Sequence, residues 1–483
     1  MKKVIAWKLK SKISWEDWAM SSRKLQLDEI IDFNPKRQIR KGIDYPFIEM
    51  AAIPEGNRDI AYSFQKEFKG SGSKFKNGDT LFARITPCLE NGKTAKVDCL
   101  DDGQVAHGST EFIVLAAKEP EYDEDFVYYL CRWDKFREFA RSRMEGTSGR
   151  QRVDWKVLAA SEWELPEKEE RQKIGYILKQ IDDKIANNNR INQTLEAMAQ
   201  ALFKSWFVDF EPVKAKMQAM EDGSDPQLAA MCAISGKTAE QLQQLPEDKY
   251  KELAATADLF PNKLVESELG LIPEGWKFKS FGELLDKTIG GDWGREAPDE
   301  KHTEEVRIIR GTDIPTLQSG GIGKVPTRFV DPKKLKTRKL KRGDIVIEVS
   351  GGSKNQPTGR SIMLTYNHIA RLGGQAEPAS FCRLFRPANE ALSYLLGQHL
   401  LHIYAEGKTW FYQNQSTGIS NFQTAVFLEK EVIPIPKSSI LTEFKKKISP
   451  IVNSISSNES IKLEQIRDNL IPKLLSGEID VTI

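Results

Sequence analysis

The sequence predicts an α+β protein with two α/β domains in a pseudo-twofold repeat, separated by two long antiparallel helices that form a coiled coil. Two observations lead to this prediction. The second half of the chain repeats motifs of the first, and each half ends in an amphipathic helical segment that follows a proline, Pro166 or Pro436. A chain that repeats a globular unit and a helix can recognise two similar targets at a set distance.

Short motifs repeat inside the two predicted domains. Residues 76–82 (KNGDTLF) resemble residues 341–347 (KRGDIVI), and residues 147–149 (TSG) resemble residues 416–418 (STG). These motifs lie among short β-rich runs and Gly, Asn and Asp turn residues, as expected of mixed sheets with polar connections. We therefore expect related folds in the two halves of the chain.

The helical segments carry matching rows of apolar residues. The spacing of three or four positions places each row on one face of a helix. Asn188 and Asn192 fall on the first row, where a polar side chain can fix the register of a coiled coil. We expect the two rows to pair, and their residues are Ile174, Leu178, Ile181 and Ile185 in the first segment and Phe444, Ile448, Ile451 and Ile455 in the second.

The chain divides into five predicted segments. The first domain includes a helix predicted over residues 124–143. In the last segment, Pro450 and Pro472 predict kinks or breaks, because a proline inside a helix costs roughly 3 kcal/mol. The segments are a first recognition domain at 1–165, a central helical arm at 166–210, a helical spacer at 211–272, a second recognition domain at 273–435 and a C-terminal helical arm at 436–483.

Composition excludes several classes of protein. Hydrophobic residues make up 40% and charged residues 29% of the 483 residues, and apolar runs stay well short of the roughly 20 residues that span a bilayer. Lysines interrupt the first ten residues, so we expect no signal peptide and a cytoplasmic protein. The five cysteines are scattered and the pair His399 and His402 lacks an acidic partner motif, so we expect no metal site.

Charge is unevenly distributed. The net charge of +2 is low for a protein that binds nucleic acid alone, since affinity for the phosphate backbone comes largely from Lys and Arg. Residues 324–342, however, carry nine Lys and Arg against the single Asp331. We expect this run to contact phosphates. We also expect partner proteins to help enclose a duplex.

Residues 80–93, 201–210, 268–276 and 466–479 carry motifs of one known family. These four segments resemble parts of the specificity subunits of type I restriction–modification systems. The head of the first arm, residues 166–172 (PEKEERQ), departs from that family's usual Pro-Pro-x-x-Glu-Gln, and the second arm lacks its acidic–Gln pair. The similar segments are residues 80–93 (TLFARITPCLENGK), 201–210 (ALFKSWFVDF), 268–276 (ELGLIPEGW) and 466–479 (IRDNLIPKLLSGEI).

The resemblance implies a non-catalytic subunit of a phage-defence complex. Each target-recognition domain would bind one half of a divided site in double-stranded DNA, and the helical arms would hold two modification subunits. The resemblance places S-adenosylmethionine-dependent adenine methylation in those partners, and ATP- and Mg-dependent translocation and cleavage in restriction subunits. This chain itself would hold no cofactor.

Catalytic motifs are missing from the sequence. Asn34-Pro35-Lys36 fails the N/D-P-P-Y/F pattern of adenine methylation, and residues 351–354 (GGSK) fail the spacing of a phosphate-binding loop. Two alternatives stay open: a fused or stand-alone DNA methyltransferase or nuclease, and a coiled-coil adaptor that does not bind DNA. Methyl transfer by the isolated chain would support the first, and absence of salt-dependent duplex binding in the presence of modification subunits would support the second.

Polar and cationic loop residues are the candidate DNA contacts. Arg and Lys pair with guanine and Asn and Gln with adenine, while glycines let the backbone approach the base edges. Gln356 and Arg360 are the strongest candidates for base contacts. In the first domain the candidates are Arg84, Thr86, Asn91, Lys93, His107, Ser148, Arg150 and Arg152. In the second they are Arg295, Lys336, Arg338, Lys339, Ser350, Ser353, Lys354, Gln356, Thr358, Arg360, Gln375, Gln415, Ser416 and Thr417.

The arms also predict a spacing between the two target sites. An arm of about 35 residues is on the order of 50 Å long at a rise of 1.5 Å per residue. This length suits two half-sites separated by about one turn of duplex DNA.

Overall fold

The computed structural model describes residues 22–147, 149–351, 356–416, 419–457, 459–479 and 481. The chain forms two compact units. Unit 1 contains the residues up to Asn188 together with those from Glu459 onward, and unit 2 contains the residues from Asn189 to Asn458. The C-terminal segment is therefore part of the same unit as the N-terminal domain.

The first part of the chain builds unit 1 from short strands and a few helices. Its elements are β1 Ser22–Gln26, α1 Leu27–Ile30, β2 Ile31–Phe33, β3 Asp44–Ile48, β4 Phe64–Glu67, β5 Ser73–Phe75, β6 Thr80–Ala83, β7 Thr94–Lys96, β8 Ala106–Gly108, β9 Phe112–Ala117, α2 Pro120–Arg132, α3 Asp134–Ser142, β10 Met144–Glu145, β11 Arg152–Val153, α4 Trp155–Ala159 and β12 Glu162–Pro166. Helix α5, Lys168–Phe207, then passes from unit 1 into unit 2 at Asn188.

Unit 2 contains most of the remaining elements. They are α6 Glu211–Glu221, α7 Pro226–Ser235, α8 Ala239–Gln243, α9 Glu247–Asp258, β13 Leu264–Ser267, β14 Gly270–Pro273, β15 Lys277–Ser280, β16 Leu285–Gly290, β17 Glu304–Ile309, α10 Ile314–Gln318, β18 Thr327–Val330, α11 Pro332–Arg338, β19 Ile345–Glu348, β20 Ser350–Gly351, β21 Ser361–Met363, α12 Tyr366–Leu372, β22 Ala376–Pro378, β23 Cys382–Pro387, α13 Glu390–Ala405, β24 Gln413–Ser416, β25 Ile419–Phe422, α14 Thr424–Lys430, β26 Val432–Ile435 and α15 Ser438–Ser456. Helix α16, Ser460–Leu475, belongs to unit 1.

The predicted repeat is confirmed by the sheets of the two units. A four-stranded antiparallel sheet has the order β2-β9-β6-β7 in unit 1 and β16-β23-β19-β21 in unit 2. A second sheet pairs β3 parallel to β8 in unit 1 and β17 parallel to β22 in unit 2. In each unit the strand that precedes an arm pairs with an earlier strand of the same unit, β12 with β1 and β26 with β15.

The repeated Gly-Asp turn forms the same contacts in both units. Asp79 accepts a hydrogen bond from the backbone N of Lys76 at 2.8 Å, and Asp344 accepts one from that of Lys341 at 2.7 Å. Each buried carboxylate also binds an arginine, Arg37 in unit 1 and Arg386 in unit 2, both at 2.6 Å. The motif therefore orders the turn that leads into the central strand β6 or β19.

The first arm is confirmed as a single helix, whereas the second differs from the prediction. Pro450 and Pro472 lie inside α15 and α16, and the interruption falls between Ser456 and Ser460 instead. The predicted breaks at the prolines are wrong, and kinks there stay a prediction. In α15 the buried face offsets the cost of Pro450. Each fully buried large apolar side chain contributes about 1.5–3 kcal/mol, and this face includes Leu441, Phe444, Ile448 and Ile455.

The predicted pairing of the two apolar rows is also wrong. Phe444 packs against Trp206 and Phe207, with ring centroids 5.9 and 4.8 Å apart, and Ile448 belongs to the same core. Ile174 and Leu178 instead join the core of unit 1, which includes Ile471, Leu474 and Leu475 of α16. The prediction matched positions that are equivalent in the repeat, but antiparallel helices bring the first turns of one against the last turns of the other.

Two further segments are more divided than expected. The helix predicted over residues 124–143 is two helices, α2 and α3, because the buried Trp133 adopts an extended backbone between them. Residues 211–272 form four helices and the hairpin β13–β14, and the helices have a small core of their own. Among the described residues, none of the helices is both long enough and apolar enough to span a membrane.

Candidate nucleic-acid interface

Three connections of unit 1 meet at one end of its four-stranded sheet. Strand β2 ends at Phe33 opposite Leu115, and β6 ends at Ala83 opposite Phe112, the first residue of β9. The register therefore brings residues 34–37, 84–93 and 109–111 together, and we call this group the first loop edge. A bridge between Ile85 and Arg152 adds the hairpin β10–β11 to it.

A cationic depression of about 570 Å³ lies at the first loop edge. Four cations, Lys36, Arg37, Lys74 and Arg84, line it together with Asn34, Thr110 and Trp155. Only Arg84 among these cations was predicted from the sequence. The other three were missed because the sequence does not show that the connection 34–37, which carries Lys36 and Arg37, and strand β5, which carries Lys74, meet Arg84 in the fold.

The predicted residues of unit 1 fall into two groups. Asn91 and Arg150 are exposed, and Arg84 is half-buried, with a buried Nε that has no hydrogen-bond partner among the described residues. The others hold the loops together. Thr86 Oγ1 accepts from the backbone N of Gln151 at 3.1 Å, Lys93 Nζ donates to the backbone O of Met50 at 2.9 Å, and Arg152 forms an ion pair with Glu111 at 2.8 Å.

His107 does not belong to the interface. Its side chain is buried, with Nε2 3.1 Å from the backbone O of Lys66 and its ring between Phe47 and Phe68 at 4.9 and 5.3 Å. The prediction of a DNA contact at His107 is wrong, because strand β8 places this residue inside the second sheet. Ser148, also predicted, lies outside the described residues.

The same end of the equivalent sheet collects loops in unit 2. Gly290 at the end of β16 lies opposite Arg383, and Glu348 at the end of β19 lies opposite Cys382 at the start of β23. The connections that continue from these strand ends therefore lie together, and we call them the second loop edge. They are residues 291–294, 349–351, 356–360 and 379–381, since residues 352–355 lie outside the described residues. Strand β20 pairs with β25, so the hairpin β24–β25 extends from it.

The second loop edge changes the interpretation of several predicted residues. Arg360 Nε and Nη2 bind Glu348 at 2.9 and 2.6 Å, and this hydrogen bonding raises the pKa of Arg360. The guanidinium edge that would contact guanine is thus already occupied. Thr358 is fully buried, and its backbone N donates to Gln413 Oε1 at 3.2 Å. The predicted DNA contact at Thr358 is therefore wrong, whereas Arg360 has lost the Nε–Nη2 edge for base contacts and its DNA contact stays a prediction.

Other predicted residues of this edge keep their candidacy. Gln356 is exposed, and Ser350 donates from Oγ to Asn421 Oδ1 at 2.8 Å on the partly exposed start of β20. The described residues do not include Ser353, Lys354 or Thr417, or the side chains of Gln415 and Ser416.

The basic run forms strand β18 and helix α11 beside the second loop edge. Lys336 is exposed on α11, and Arg338 Nε donates to the backbone O of Gly290 at 2.8 Å. Lys339 Nζ donates to Gln375 Oε1 at 2.8 Å, which makes Gln375 a support for this lysine. Arg295 is exposed, with its backbone paired to β18. These positions give the edge a cationic flank suited to phosphate contacts.

A buried carboxylate lies near this cationic flank. Glu377 on β22 is fully buried, and neither of its carboxylate oxygens has a hydrogen-bond partner in the described part of the chain. Burial raises the pKa of Glu377 to about 7, and the charge of Asp292 acts in the same direction, while Arg338 and Lys334 oppose it. Clusters of three or more His, Cys, Asp or Glu that could hold a metal are absent from the described residues.

Comparison with known proteins matches this chain to proteins of one kind. A family model described as "Type I restriction modification DNA specificity domain" matches residues 24–197. The HindI specificity subunit of Haemophilus influenzae is 32% identical over 436 residues, which cover 86% of this chain and 89% of that protein. The MjaIX specificity subunit of Methanocaldococcus jannaschii is 24% identical over 365 residues, covering 74% and 69%. A crystal structure of a type I S subunit from M. genitalium matches 99% of both chains with 16% identity and a TM-score of 0.48.

Proposed function

Because this chain belongs to the DNA specificity subunits of type I restriction–modification systems, we propose that each of its two units binds one half of a divided site in duplex DNA. The chain is the specificity component, and catalysis belongs to other subunits of such complexes. The observation that carries the proposal is the pair of loop edges. The same end of the same sheet gathers polar and cationic connections in unit 1 and again in unit 2.

The chemistry of each edge supports a division between anchoring and base recognition. In unit 1, Lys36 and Lys74 at the depression supply charge for phosphates, while Arg84, Asn91 and Arg150 can contact base edges. In unit 2, Lys336 supplies charge and Gln356 can form two hydrogen bonds with adenine.

The partners follow from the proposed assignment. The helical arms would dock two modification subunits that methylate adenine with S-adenosylmethionine, and restriction subunits would add ATP- and Mg-dependent translocation and cleavage. The low net charge of +2 supports a need for such partners, since few excess cations are available to hold a duplex alone. The complex would act in the cytoplasm.

Exchange of one recognition domain tests this proposal. Residues 1–165 are replaced by the corresponding domain of another specificity subunit, and the methylated motif of host DNA is determined by methylation-aware sequencing. We expect one half of the motif to change and the other half and the gap to persist. The reciprocal exchange of residues 273–435 should change only the other half. A methylated motif in which both halves change after either exchange would contradict the proposal.

A further inference from the structure

Glu111 and Phe381 occupy equivalent backbone positions at the two loop edges. The backbone N of Arg84 donates to the O of Glu111 at 3.0 Å, and the backbone N of Val349 donates to the O of Phe381 at 2.9 Å. In both units the acceptor immediately precedes one inner strand of the sheet, β9 or β23, and the donor immediately follows the other inner strand, β6 or β19. The fold therefore presents one side chain from the same place in each unit.

The two side chains have opposite chemistry. Glu111 is held by Arg152, whose Nε and Nη2 bind its oxygens at 2.9 and 2.8 Å. Phe381 remains 65% exposed. A large apolar side chain gains about 1.5–3 kcal/mol when it is buried, so an exposed phenyl group at this position offers binding energy to a ligand.

The backbone of Phe381 is held on both sides. Its carbonyl also accepts from the N of Ser350 at 3.3 Å, and the next residue, Cys382, donates from its N to the O of Ala379 at 2.8 Å. On the other side, a side chain at Gly291 would approach the O of Ala379 to 2.1 Å, so the two connections pack closely. The phenyl group is thus presented from an ordered position, which reduces the entropy cost of binding.

Groups suited to DNA lie on the connections next to that of Phe381. Trp293, on the adjoining connection, is 39% exposed and lies under Arg328 with 4.9 Å between the guanidinium and the ring centroid. Ser350 and Asn421 lie on the other side, where their side chains hydrogen-bond at 2.8 Å. A phenyl group among such donors and acceptors cannot itself form a conventional hydrogen bond with a base. The apolar feature of a base pair in the major groove is the 5-methyl group of thymine.

We infer that Phe381 recognises the 5-methyl group of a thymine in the half-site bound by unit 2, an inference that rests on the proposed function. Unit 1 cannot make this contact from the equivalent position, because Glu111 is polar and bound to Arg152. The two units would thus use one structural position for different base features.

Deoxyuridine substitution tests the inference. Each thymine of the second half-site, on either strand, is replaced in turn by deoxyuridine, which lacks only the 5-methyl group, and duplex binding is measured with the complete complex of specificity and modification subunits. We expect one replacement to weaken binding about fourfold, the factor that burial of one methyl group supplies. Phe381→Ala should bind the thymine and uracil duplexes equally.

Two variants control the experiment. Phe381→Leu keeps an apolar side chain and should retain part of the preference for thymine. Tyr366 is 69% exposed in the same unit but follows β21, whose last residue Met363 lies opposite Ile345 at the other end of the sheet. Tyr366→Ala should therefore keep the full preference.

The possible failures are distinguishable. Two outcomes would overturn the inference if the complex still binds its site specifically. One is a wild-type complex that binds every uracil-substituted duplex as tightly as the thymine duplex, and the other is a Phe381→Ala complex that still prefers thymine. A wild-type complex that does not bind duplexes containing its own methylated motif more tightly than other duplexes would instead overturn the proposed function.

Discussion

Arg467 of the last helix forms a buried ion pair with Asp182 of α5. Arg467 Nη1 lies 2.5 Å from Asp182 Oδ1, and the two side chains are 2% and 4% exposed. Asp182 Oδ2 also accepts from the hydroxyl of Tyr129 at 2.6 Å, and Arg467 Nη2 donates to the backbone O of Gly56 at 3.1 Å. The C-terminal helix is thus tied to the N-terminal domain by groups that are costly to leave unpaired.

Removal of Arg467 should release α16 from unit 1. Arg467→Met leaves Asp182 buried without its cation, so we expect a loss of about 3–5 kcal/mol in the free energy that protects α16 amides from hydrogen exchange. Arg23→Met is the matched control, because Arg23 is 67% exposed and lies 3.7 Å from Glu29. The control should cost less than about 1 kcal/mol. Equal protection of α16 in both variants would contradict the structural role of Arg467.

Arg360 and Gln356 should respond differently to substitution. Arg360→Ala leaves the buried Glu348 unpaired, so we expect a loss of about 2–3 kcal/mol in the free energy of unfolding. Gln356→Ala removes an exposed side chain and should change stability by less than about 0.5 kcal/mol. Gln356→Ala should instead relax the base specificity at one position of the second half-site and weaken binding by about 1–3 kcal/mol. Thermal unfolding and sequencing of the methylated motif measure the two effects, and an unaltered motif in Gln356→Ala would place base recognition elsewhere.

The depression of unit 1 should contain both phosphate and base contacts. Lys36→Ala should weaken binding to all duplexes alike and reduce the slope of log affinity against log salt by about 1. Arg84→Ala should relax one position of the first half-site. Lys336→Ala and Lys339→Ala should resemble Lys36→Ala. Lys24→Ala, on the exposed face of β1 and outside the depression, is the control. Salt titrations with the assembled complex check these outcomes, and a change of specificity in Lys36→Ala would assign that lysine to base recognition.

Glu377 should make the stability of unit 2 depend on pH. Its pKa is raised from 4.5 to about 7 in the folded protein. The neutral carboxyl group therefore contributes to the free energy of unfolding at a pH below the pKa of Glu377 in the unfolded chain. This contribution is lost as the pH rises through the pKa of Glu377 in the folded protein, because the folded state must then hold a buried charge. From pH 5 to pH 8 we expect a loss of about 2–3 kcal/mol. Urea unfolding at pH 5 and pH 8 measures this loss, and Glu377→Gln should remove it, whatever the effect of the substitution at a single pH. An unchanged loss in Glu377→Gln would show that Glu377 does not cause the pH dependence.

The length of α5 should set the gap between the half-sites. Insertion of four residues at Asn188, where the helix passes from unit 1 to unit 2, adds about one turn, or on the order of 6 Å. We expect the gap in the methylated motif to grow by one or two base pairs while both half-sites persist. Substitution of Asn188 by Ala without insertion is the control. An active complex with an unchanged gap would show that α5 does not determine the spacing.

Local patterns predicted those features that depend on neighbouring residues. The apolar periodicity predicted a helical arm over residues 166–210, where α5 spans Lys168–Phe207, and the repeated motifs predicted two related sheets. These predictions succeeded because helix periodicity and turn chemistry act over a few residues. Membership in the family of specificity subunits was also predicted from short local segments of the sequence.

Long-range packing decided what the local patterns did not contain. Lys36 and Arg84 meet because two connections end at one edge of a sheet, and Lys74 joins them from strand β5, whereas His107 is buried on the neighbouring strand β8. Arg360 is occupied because folding brings Glu348 against it, and Phe444 pairs with Phe207 rather than with its repeat-equivalent residue. The sequence by itself determined the element types, the repeat and the family. Only the tertiary structure decided which side chains are free to bind, because burial and partners come from residues far apart in the chain.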